Sequence, residues 1–368
     1  MTNTHWAIDI DRDNIKRAEL VKEEQPSLHD GEIEVAVNSY AITANNITYA
    51  VFGKPNGLFG PDAGYWDFFA PRETPGRLPI WGFATVTRSA CDGVTPGERF
   101  YGFYPMASHA VLVPQRVGAG GFTDGTPRRA ALPLVYNQYQ RLEALADYRP
   151  EHHDYWPVFR PLFLTGWLIS DQFEDEHDYG TEQILVASAS SKTAIGLGFS
   201  MGCRVGKRPQ TVGMTSAANV DALDALGIYD RVISYDAIAT LDPAIPSALV
   251  DMAGNGDVTG AVHRHFGDAL LASIVVGKSH WDAAAGDAKI PGPARQGFFA
   301  PGRVQKRIGD WGAAGFGGHV ASAWLAFMEQ APRIATIDAR DGGDAALAAY
   351  TQVLDGRADP KVGIIIRP

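Results

Sequence analysis

The sequence predicts an α/β protein that combines a small N-terminal β-barrel with a doubly wound parallel sheet. Segments that alternate apolar and polar side chains fill roughly the first 130 residues, whereas apolar runs alternate with helix-compatible stretches from residue 182 onward. At about 150 residues per domain, a chain of 368 residues suffices for two domains. We predict a barrel domain formed by residues 1–130 and completed by residues 320–368, and a sheet domain formed by residues 131–319.

Composition and charge indicate which kinds of binding partner the protein has. The chain is 45% hydrophobic and 20% charged, with 40 glycines and 23 prolines, which is typical of a loop-rich globular protein. A formal charge of -10 disfavours surfaces that neutralise nucleic-acid phosphates or anionic lipid. We therefore expect a small-molecule substrate and neither a nucleic-acid nor a membrane partner.

The cysteines and the N-terminal residues suggest a cytoplasmic protein. Cys91 and Cys203 are too few for a four-thiolate zinc site or a secreted disulfide framework. Residues 1–6 lack the basic and apolar regions of a signal peptide. The cytoplasm is therefore the expected location.

The barrel is predicted from period-two segments and turns. Residues 32–37 alternate after the Gly31 turn, and residues 79–86 lead through a glycine- and proline-containing turn to residues 100–103. We expect helices between residues 132 and 183 that bridge the two domains. Residues 362–366 are a predicted strand that returns to the first domain.

The second domain is predicted from strands that alternate with helices. Such alternation indicates a parallel sheet covered on both faces, here of six strands. The predicted helices are residues 193–202 and 217–226. The clearest strands are residues 184–187, 211–214, 231–234, 247–252 and 272–276.

The turn after the first of these strands is a candidate phosphate site. A strand that ends at a turn and opens a helix directs backbone N–H groups and the helix dipole toward one point, which suits a dinucleotide pyrophosphate. Here hydroxyls and one ammonium replace the usual glycines, and the alternative is an ordinary turn with a solvated lysine. The predicted cofactor-binding residues of the turn are Ser188, Ser190, Ser191, Lys192 and Thr193.

The end of the second strand predicts which dinucleotide binds. A carboxylate there marks a preference for NAD, but none occurs between Met214 and Asp221, so NADP(H) is favoured. Lys207 or Arg208 is expected close to the 2′-phosphate. The hydrogen-bonding candidates are Thr215, Ser216 and Asn219, and the residues expected after the next three strands are Tyr235, Ala253 and Gly277.

Three other motifs are weaker candidates. Residues 198–202 satisfy G-x-S-x-G, and Asp251 and His280 follow in hydrolase order, but Ser200 is predicted to lie on a helix rather than on a strained turn. Lys192-Thr193 lacks the glycines of a nucleotide-binding P-loop. Residues 151–154 have ligand chemistry on a polar loop, and no metal site is expected there.

Several segments resemble one superfamily. Its motif L-x-x-G-E-V-x-V is similar to residues 28–35, and its G-I-N-P-x-D segment to residues 41–47. Its V-x-x-G-D-R-V segment is similar to residues 93–100, and its cofactor-domain motif to residues 182–235. The chain thus resembles the medium-chain dehydrogenase/reductase superfamily, in its zinc-independent quinone oxidoreductase-like and enoyl reductase-like members. It also resembles an uncharacterised branch of that superfamily, described only as a domain of unknown function, with an S-x-S-S-K-T-A turn.

The resemblance implies a GroES-like barrel and a Rossmann-type sheet. It also implies an NADPH-dependent enzyme that reduces an activated C=C bond, as in an enone, enoyl compound or quinone, or a carbonyl group. No catalytic zinc is expected, because residues 44–46 and 80–83 replace the cysteine and Gly-His-Glu of zinc-dependent members. The residues predicted to be catalytic are Tyr49, Asn46, Tyr136 and His280.

Further expectations follow from the same resemblance. Gln296, Phe299 and Arg303 are expected to close over the substrate, and a homodimer is expected through residues 272–276 as an edge strand. Two alternatives remain open at this stage. One is a dinucleotide-binding protein without redox activity, and the other is a lyase or hydrolase that uses the same cleft.

Overall fold

The computed structural model describes residues 5–55, 59, 61, 63–69, 74–130, 132–277 and 290–368. The chain divides into two units, one formed by Met1–Val158 with Ala335–Pro368 and the other by Phe159–Ile334. Both boundaries lie later than the predicted positions at 130 and 319. Residues after 130 still belong to the first unit because strand Gln138–Arg141 pairs with its sheet, and Trp324 and Phe327 pack against Phe163 in the second.

The elements of the first unit and of the second are numbered together along the chain. The strands are β1 (His5–Ile10), β2 (Ala18–Glu23), β3 (Ile33–Ile42), β4 (Pro79–Ser89), β5 (Arg99–Pro105), β6 (His109–Leu112), β7 (Pro114–Gly118), β8 (Gly121–Asp124), β9 (Gln138–Arg141), β10 (Gln183–Ala187), β11 (Gln210–Thr215), β12 (Arg231–Ser234), β13 (Ser247–Asp251), β14 (Leu270–Val275), β15 (Arg295–Gly297), β16 (Thr336–Asp341) and β17 (Val362–Arg367). The α-helices are α1 (Ala44–Val51), α2 (Tyr155–Asp175), α3 (Lys192–Gly202), α4 (Val220–Asp224), α5 (Gly256–Phe266), α6 (Ala300–Met328), α7 (Ala331–Ile334) and α8 (Gly342–Leu354).

The first unit is built on one large sheet. Its strand order is β16-β17-β3-β4-β5-β9-β8-β7, with β6 also paired to β3, and β1 and β2 form a separate pair. Two register shifts interrupt the antiparallel β3–β4 ladder, and such bulges increase the bend and twist of a sheet. The predicted return strand is confirmed, because β17 pairs antiparallel with β3.

The second unit contains the predicted parallel sheet, and it has the predicted six strands. The order is β12-β11-β10-β13-β14-β15, and every neighbouring pair is parallel. All five residues of β10 and of β13 are buried, as expected for central strands covered on both faces. The expectation that residues 272–276 form the edge is wrong, since β15 pairs with β14 and its three residues are exposed.

Helix α3 lies against helix α2 at very close range. A Cβ atom on Gly166 would lie 2.5 Å from the Leu197 nitrogen, and one on Gly196 would lie 3.1 Å from the Phe163 Cα. Gly198 is equally constrained, because a Cβ there would lie 2.8 Å from the Tyr229 ring. Gly196 and Gly198 thus allow the close packing that fixes where α3 begins relative to the sheet.

Two helix predictions are only partly right. Between residues 132 and 183 the main helix is α2, whereas residues 138–141 form β9. Packing explains the strand, because Tyr139 is buried on Gly102, where a Cβ would lie 2.5 Å from its ring. The helix predicted for residues 217–226 is reduced to α4 after a short 3₁₀ turn.

No helix in the described part of the chain has the length and apolar character that crossing a bilayer requires.

A pair of histidines, the buried His5 and the half-buried His109, joins β1 to the sheet of the first unit. The rings of His5 and His109 have centroids 3.7 Å apart, and the His5 Nε2 lies 3.7 Å from the Glu34 carboxylate. Burial and the neighbouring His5 lower the pKa of His109 to about 4. Burial would raise the pKa of Glu34, but hydrogen bonds from Arg88, Gln25 and Thr87 outweigh it and lower that pKa to about 2.

We predict that stability falls in two steps on acidification. Between pH 6.5 and 4 the unfolded chain binds a proton on residue 109 that the folded chain does not, so the free energy of unfolding decreases. His109→Gln should make this first step smaller by about 1 kcal/mol, a value reduced because the ring is only half-buried, while His153 and His263, whose pKa values are also lowered, keep the rest of it. The second step, below pH 4.5, includes Glu34 and Asp230 and should remain.

Urea denaturation of the parent and of His109→Gln from pH 7.5 to 3 gives the free energy of unfolding at each pH and tests this prediction. Equal slopes of unfolding free energy against pH between 6.5 and 4 in parent and variant would contradict it.

Candidate functional site

The register of the parallel sheet brings the predicted cofactor residues to one edge. Ala187 at the end of β10 is level with Met214 in β11 and with Asp251 in β13, and Asp251 is level with Val275 in β14. The loops after these strands therefore leave the sheet side by side. The end of β12 lies beside them, since Ser234 is level with Thr215. The predicted residues at or directly after the ends of these strands are Ser188, Ser190, Ser191, Lys192, Thr193, Thr215, Ser216, Asn219, Tyr235, Ala253 and Gly277.

The turn after β10 keeps a glycine-like backbone without glycine. Ser188 has φ of 55°, in the left-handed region, which costs an L-residue about 1–2 kcal/mol. Its backbone N–H donates to the Tyr235 hydroxyl at 3.0 Å, and its carbonyl accepts from the Ser191 N–H at 2.8 Å. The turn is therefore held from both sides, which offsets the strain.

Hydroxyl groups line the same turn. Ser191 is the N-cap of α3, and its Oγ accepts from the Ala194 N–H at 3.3 Å. The Thr215 hydroxyl donates to the Ser190 Oγ at 3.3 Å, which ties the turn to the end of β11. Tyr229 supports it from beneath, since its hydroxyl donates to the Ala189 carbonyl at 2.9 Å.

This donor set fits a pyrophosphate. Helix α3 has 11 residues, and its first turn directs N–H groups and the positive end of the helix dipole toward the turn. Lys192, half-buried at the first helical position, adds a positive charge, and Ser190 and Thr193 add hydroxyls. A dinucleotide is therefore chemically compatible with this edge of the sheet.

The end of β11 lacks a carboxylate, as the sequence predicts. Thr215 is buried and Ser216 exposed, and the Asn219 amide donates to the Ser216 Oγ at 3.1 Å. Lys207 and Arg208, expected nearby, lie instead before β11, at the other end of a strand about 20 Å long. Arg208 pairs there with Asp230 at 2.6 and 2.9 Å, so the expectation for these two residues is wrong.

The hydrolase motif has structural roles instead. The Ser200 hydroxyl is buried in α3 and donates to the Gly196 carbonyl at 2.7 Å. One oxygen of Asp251 accepts from the N–H groups of Ala253 and Gly254, and the other accepts from the Thr259 hydroxyl at 2.8 Å. Asp251 thus shapes the loop that carries Ala253, and the expected helical position of Ser200 is confirmed.

In the first unit, Tyr49 and Tyr136 belong to a cluster of buried or half-buried aromatic side chains, which we call the aromatic cluster. The Tyr136 and Tyr65 hydroxyls lie 3.1 Å apart. Burial raises the pKa of Tyr49 and raises that of Tyr136 to about 12, so both phenols keep their protons at neutral pH. The cluster consists of Tyr49, Phe59, Tyr65, Phe68, Trp81, Phe103 and Tyr136.

Two residues near Tyr49 were not singled out from the sequence. The Asn45 amide donates to the Tyr49 hydroxyl at 2.7 Å, and the Trp81 indole N–H donates to the same oxygen at 3.3 Å. The spacing of Asn45 and Tyr49, four residues apart on α1, was the available signal. Trp81 comes from β4, and no local pattern relates it to α1.

The remaining predicted residues are engaged elsewhere or lie outside the described residues. Both polar atoms of Asn46 are used by the backbone, since Oδ1 accepts from the Thr43 N–H and Nδ2 donates to the Pro79 carbonyl. Arg303 is buried and forms ion pairs with Asp171 and Asp175 of α2, so its guanidinium is already engaged. Gln296 is exposed in β15, and Phe299 precedes α6. His280 lies outside the described residues.

The polar loop at residues 151–154 does not gather ligands. His153 Nε2 lies 3.3 Å from the Ser39 hydroxyl, and Nδ1 lies 2.9 Å from the Tyr148 hydroxyl. Within the described ranges, no group of three or more His, Cys, Asp or Glu side chains is arranged to hold a metal ion.

Similarity to solved structures defines the class of fold. CurA from Vibrio vulnificus in complex with NADPH superposes with a TM-score of 0.62 at 15% identity, over 98% of each chain. The yhdH oxidoreductase from Salmonella enterica in complex with NADP gives 0.54 at 14% identity, over 99% of each chain. A mutant enoyl thioester reductase from Candida tropicalis gives 0.57 at 11% identity, over 99% of this chain and 100% of that one.

These relatives confirm the predicted fold, a GroES-like barrel unit with a Rossmann-type sheet as in the medium-chain dehydrogenase/reductases. The chain belongs to the family described as "Protein of unknown function (DUF2855)", which matches residues 40–359. No curated protein matches the chain significantly.

We predict that Lys192→Ala weakens NADPH binding about ten- to hundredfold. The substitution removes a charge contact worth on the order of 1.5–3 kcal/mol, while unfolding free energy should change by less than about 0.5 kcal/mol. Lys207→Ala is the matched control, because it removes the same charge at the opposite edge of the sheet. Calorimetric titration of the three proteins measures the effect, and equal losses in both variants would contradict the assignment.

The end of β11 allows a second prediction. Ser216→Asp places a carboxylate where we expect the 2′-phosphate, so the affinity for NADPH should fall by at least tenfold more than that for NADH. Fluorescence titration of both nucleotides gives the ratio. An unchanged NADPH-to-NADH ratio would place the 2′-phosphate elsewhere.

Proposed function

We propose that this chain is an NADPH-dependent, zinc-independent oxidoreductase that reduces an activated C=C bond, in an enone, enoyl compound or quinone, or a carbonyl group of a small organic substrate. One observation carries the proposal. The strand order of the second unit reverses beside β10, and the turn that follows β10 carries an anion-compatible donor set. In open parallel sheets such a switch point is where dinucleotides bind.

The comparisons support the same proposal. Two of the similar structures, CurA and yhdH, are complexes with NADPH and NADP, and a third is an enoyl thioester reductase. The absence of a carboxylate between Met214 and Asp221 favours the phosphorylated dinucleotide.

In this proposal each part of the chain has a defined task. The bound nicotinamide supplies the hydride. The turn at Ser188–Thr193 holds the pyrophosphate, and Ser216 with Asn219 holds the 2′-phosphate. A phenol from the aromatic cluster gives a proton, or a hydrogen bond, to the substrate atom that becomes basic as hydride arrives. Tyr49 is our first choice and Tyr136 the second.

Zinc-independence is supported by the chemistry of the replacement residues. Asn45 and Trp81 lie in the segments where zinc-dependent relatives carry ligands. Amide and indole nitrogens are hydrogen-bond donors and do not supply the thiolate, imidazole or carboxylate that zinc prefers. In this chain both nitrogens donate to Tyr49.

The alternatives make different predictions for one experiment. A dinucleotide-binding protein without redox activity would bind NADPH but not oxidise it. A lyase or hydrolase would turn over without NADPH, although the buried Ser200 hydroxyl speaks against the hydrolase motif.

We predict that the purified chain oxidises NADPH, followed at 340 nm, with at least one member of a panel of enones, enoyl thioesters, quinones and aldehydes. Tyr49→Phe should lower kcat about 10²-fold or more, as for loss of a general acid. Tyr350→Phe is the matched control, because it removes a buried hydroxyl bonded to the Ile15 carbonyl. A full rate in Tyr49→Phe with a large loss in Tyr136→Phe would identify Tyr136 as the proton donor. If no substrate of the panel supports NADPH oxidation, the proposed reductase activity is excluded.

We further propose that the chain acts in the cytoplasm as a homodimer. Among the described residues, the exposed strand β15 pairs with β14 alone, which leaves its other side for a second copy. Sedimentation that shows only the 39.6 kDa species at micromolar concentration would exclude the dimer.

A further inference from the structure

The Tyr49 hydroxyl receives two hydrogen bonds from residues that the proposed function leaves without a task. We propose that Asn45 and Trp81 act together as positioning residues, which leave the Tyr49 O–H free only to donate and stabilise the phenolate that remains after it gives up its proton. The inference rests on the proposed function insofar as it takes Tyr49 as the proton donor. Its new content is the paired donors and their effect on that phenol.

The geometry defines the direction of every hydrogen bond at this oxygen. A phenol oxygen has two acceptor sites and one proton. Asn45 Nδ2 at 2.7 Å and Trp81 Nε1 at 3.3 Å use the acceptor sites. Within the described residues these are the hydrogen bonds of the hydroxyl, and it accepts in both. Among the described residues no acceptor takes its proton, so the O–H can donate to another molecule.

The surrounding packing holds all three groups in place. Asn45 and Tyr49 lie one turn apart on α1, and the Tyr49 ring packs at 4.3 Å from Tyr65. The Trp81 ring is fixed between Tyr101, stacked at 5.6 Å, and Phe103 at 4.7 Å. Tyr49 is buried, whereas Asn45 and Trp81 are half-exposed.

The two hydrogen-bond donors counteract the effect of burial on the acidity of Tyr49. Burial opposes ionisation of Tyr49 and raises its pKa, and the hydrogen bonds from Trp81 and Asn45 act in the opposite direction. Hydrogen bonds to an ionised acceptor are about twice as strong as those between neutral groups, so they strengthen as the proton leaves. The stabilisation is therefore greater for the ionised state than for the resting state, which is the condition for catalysis.

The proton step balances without any further reactant. The Tyr49 O–H bond breaks, and its proton forms a bond to the substrate oxygen or carbon that receives the π-electron pair when hydride adds to the other end of the double bond. The electron pair stays on the phenolate oxygen, where the two N–H groups hold it. A proton from solvent restores the phenol before the next turnover.

The neighbouring asparagine shows that the arrangement is specific. Asn46, adjacent in sequence, uses both polar atoms on backbone groups. Within the described ranges, the Tyr136 hydroxyl has one partner, the Tyr65 hydroxyl, and no amide or indole donor. Among the candidate phenols of the described residues, Tyr49 alone combines two N–H donors with no hydrogen-bond acceptor for its proton.

The test measures the acidity of residue 49 directly. A trifluorotyrosine at position 49 titrates in an accessible range, and its ¹⁹F signal reports its pKa in the full-length chain. Trp81→Phe keeps a ring but removes the N–H, and Asn45→Leu keeps the size but removes the amide. Each variant should raise the pKa by about one unit, a tenfold loss of acidity.

The matched control is Gln172→Leu, which removes an amide donor at 2.7 Å from another tyrosine, Tyr179, in the second unit. It should leave the pKa at position 49 unchanged. Unchanged values in Trp81→Phe and Asn45→Leu as well would overturn the proposal, as would equal shifts in all three variants.

Kinetics with unlabelled Tyr49 separate this inference from the proposed function. Where NADPH oxidation is observed, each variant should lower kcat about tenfold with little change in KM. Raised pKa values with unchanged kcat would overturn the positioning role. Raised pKa values in a chain that does not oxidise NADPH would support the donor pair while excluding the reductase.

Discussion

The parallel register of β10 with β11 and β13 is the constraint on which the candidate cofactor site depends. Because Ala187, Met214 and Asp251 are level, three loops begin at the same height on one edge of the sheet. The close approach of α3 to α2 at Gly166 and Gly196 then sets where the α3 N-terminus lies. The backbone thus determines where the three loops and the N-terminus of α3 lie. The side chains at this edge determine which anion we expect to bind.

The turn after β10 keeps its shape without glycine because hydrogen bonds to its backbone groups hold it. Ser188 keeps a left-handed φ because hydrogen bonds from its own N–H to Tyr235 and from Ser191 to its carbonyl fix the chain on both sides. Serine and lysine residues occupy this turn, and we propose that they serve as anion donors there. In the first unit, Asn45 and Trp81 supply N–H donors to the Tyr49 hydroxyl.

Features with a strong local pattern were predictable from the sequence, and features set by packing were not. β10 and β13 are buried on both faces, and their sequences are therefore apolar runs. These runs were enough to predict the parallel sheet and the positions of its carboxyl ends. The return of β17 followed from its apolar run. By contrast, Tyr139 forms part of β9 because Gly102 makes room for its ring, which no local pattern shows. Arg208 and Thr215 are close in sequence but lie at opposite ends of β11, and Asn45 differs from Asn46 only in which face of α1 it occupies.

We propose that the turn after β10 holds the pyrophosphate of NADP(H), and a crystal structure of the chain grown with NADP⁺ would show the site. We expect pyrophosphate oxygens within hydrogen-bond distance of the first turn of α3 and of Lys192, with the 2′-phosphate beside Ser216. A nucleotide bound elsewhere, or a turn that stays free of nucleotide at millimolar NADP⁺, would contradict it.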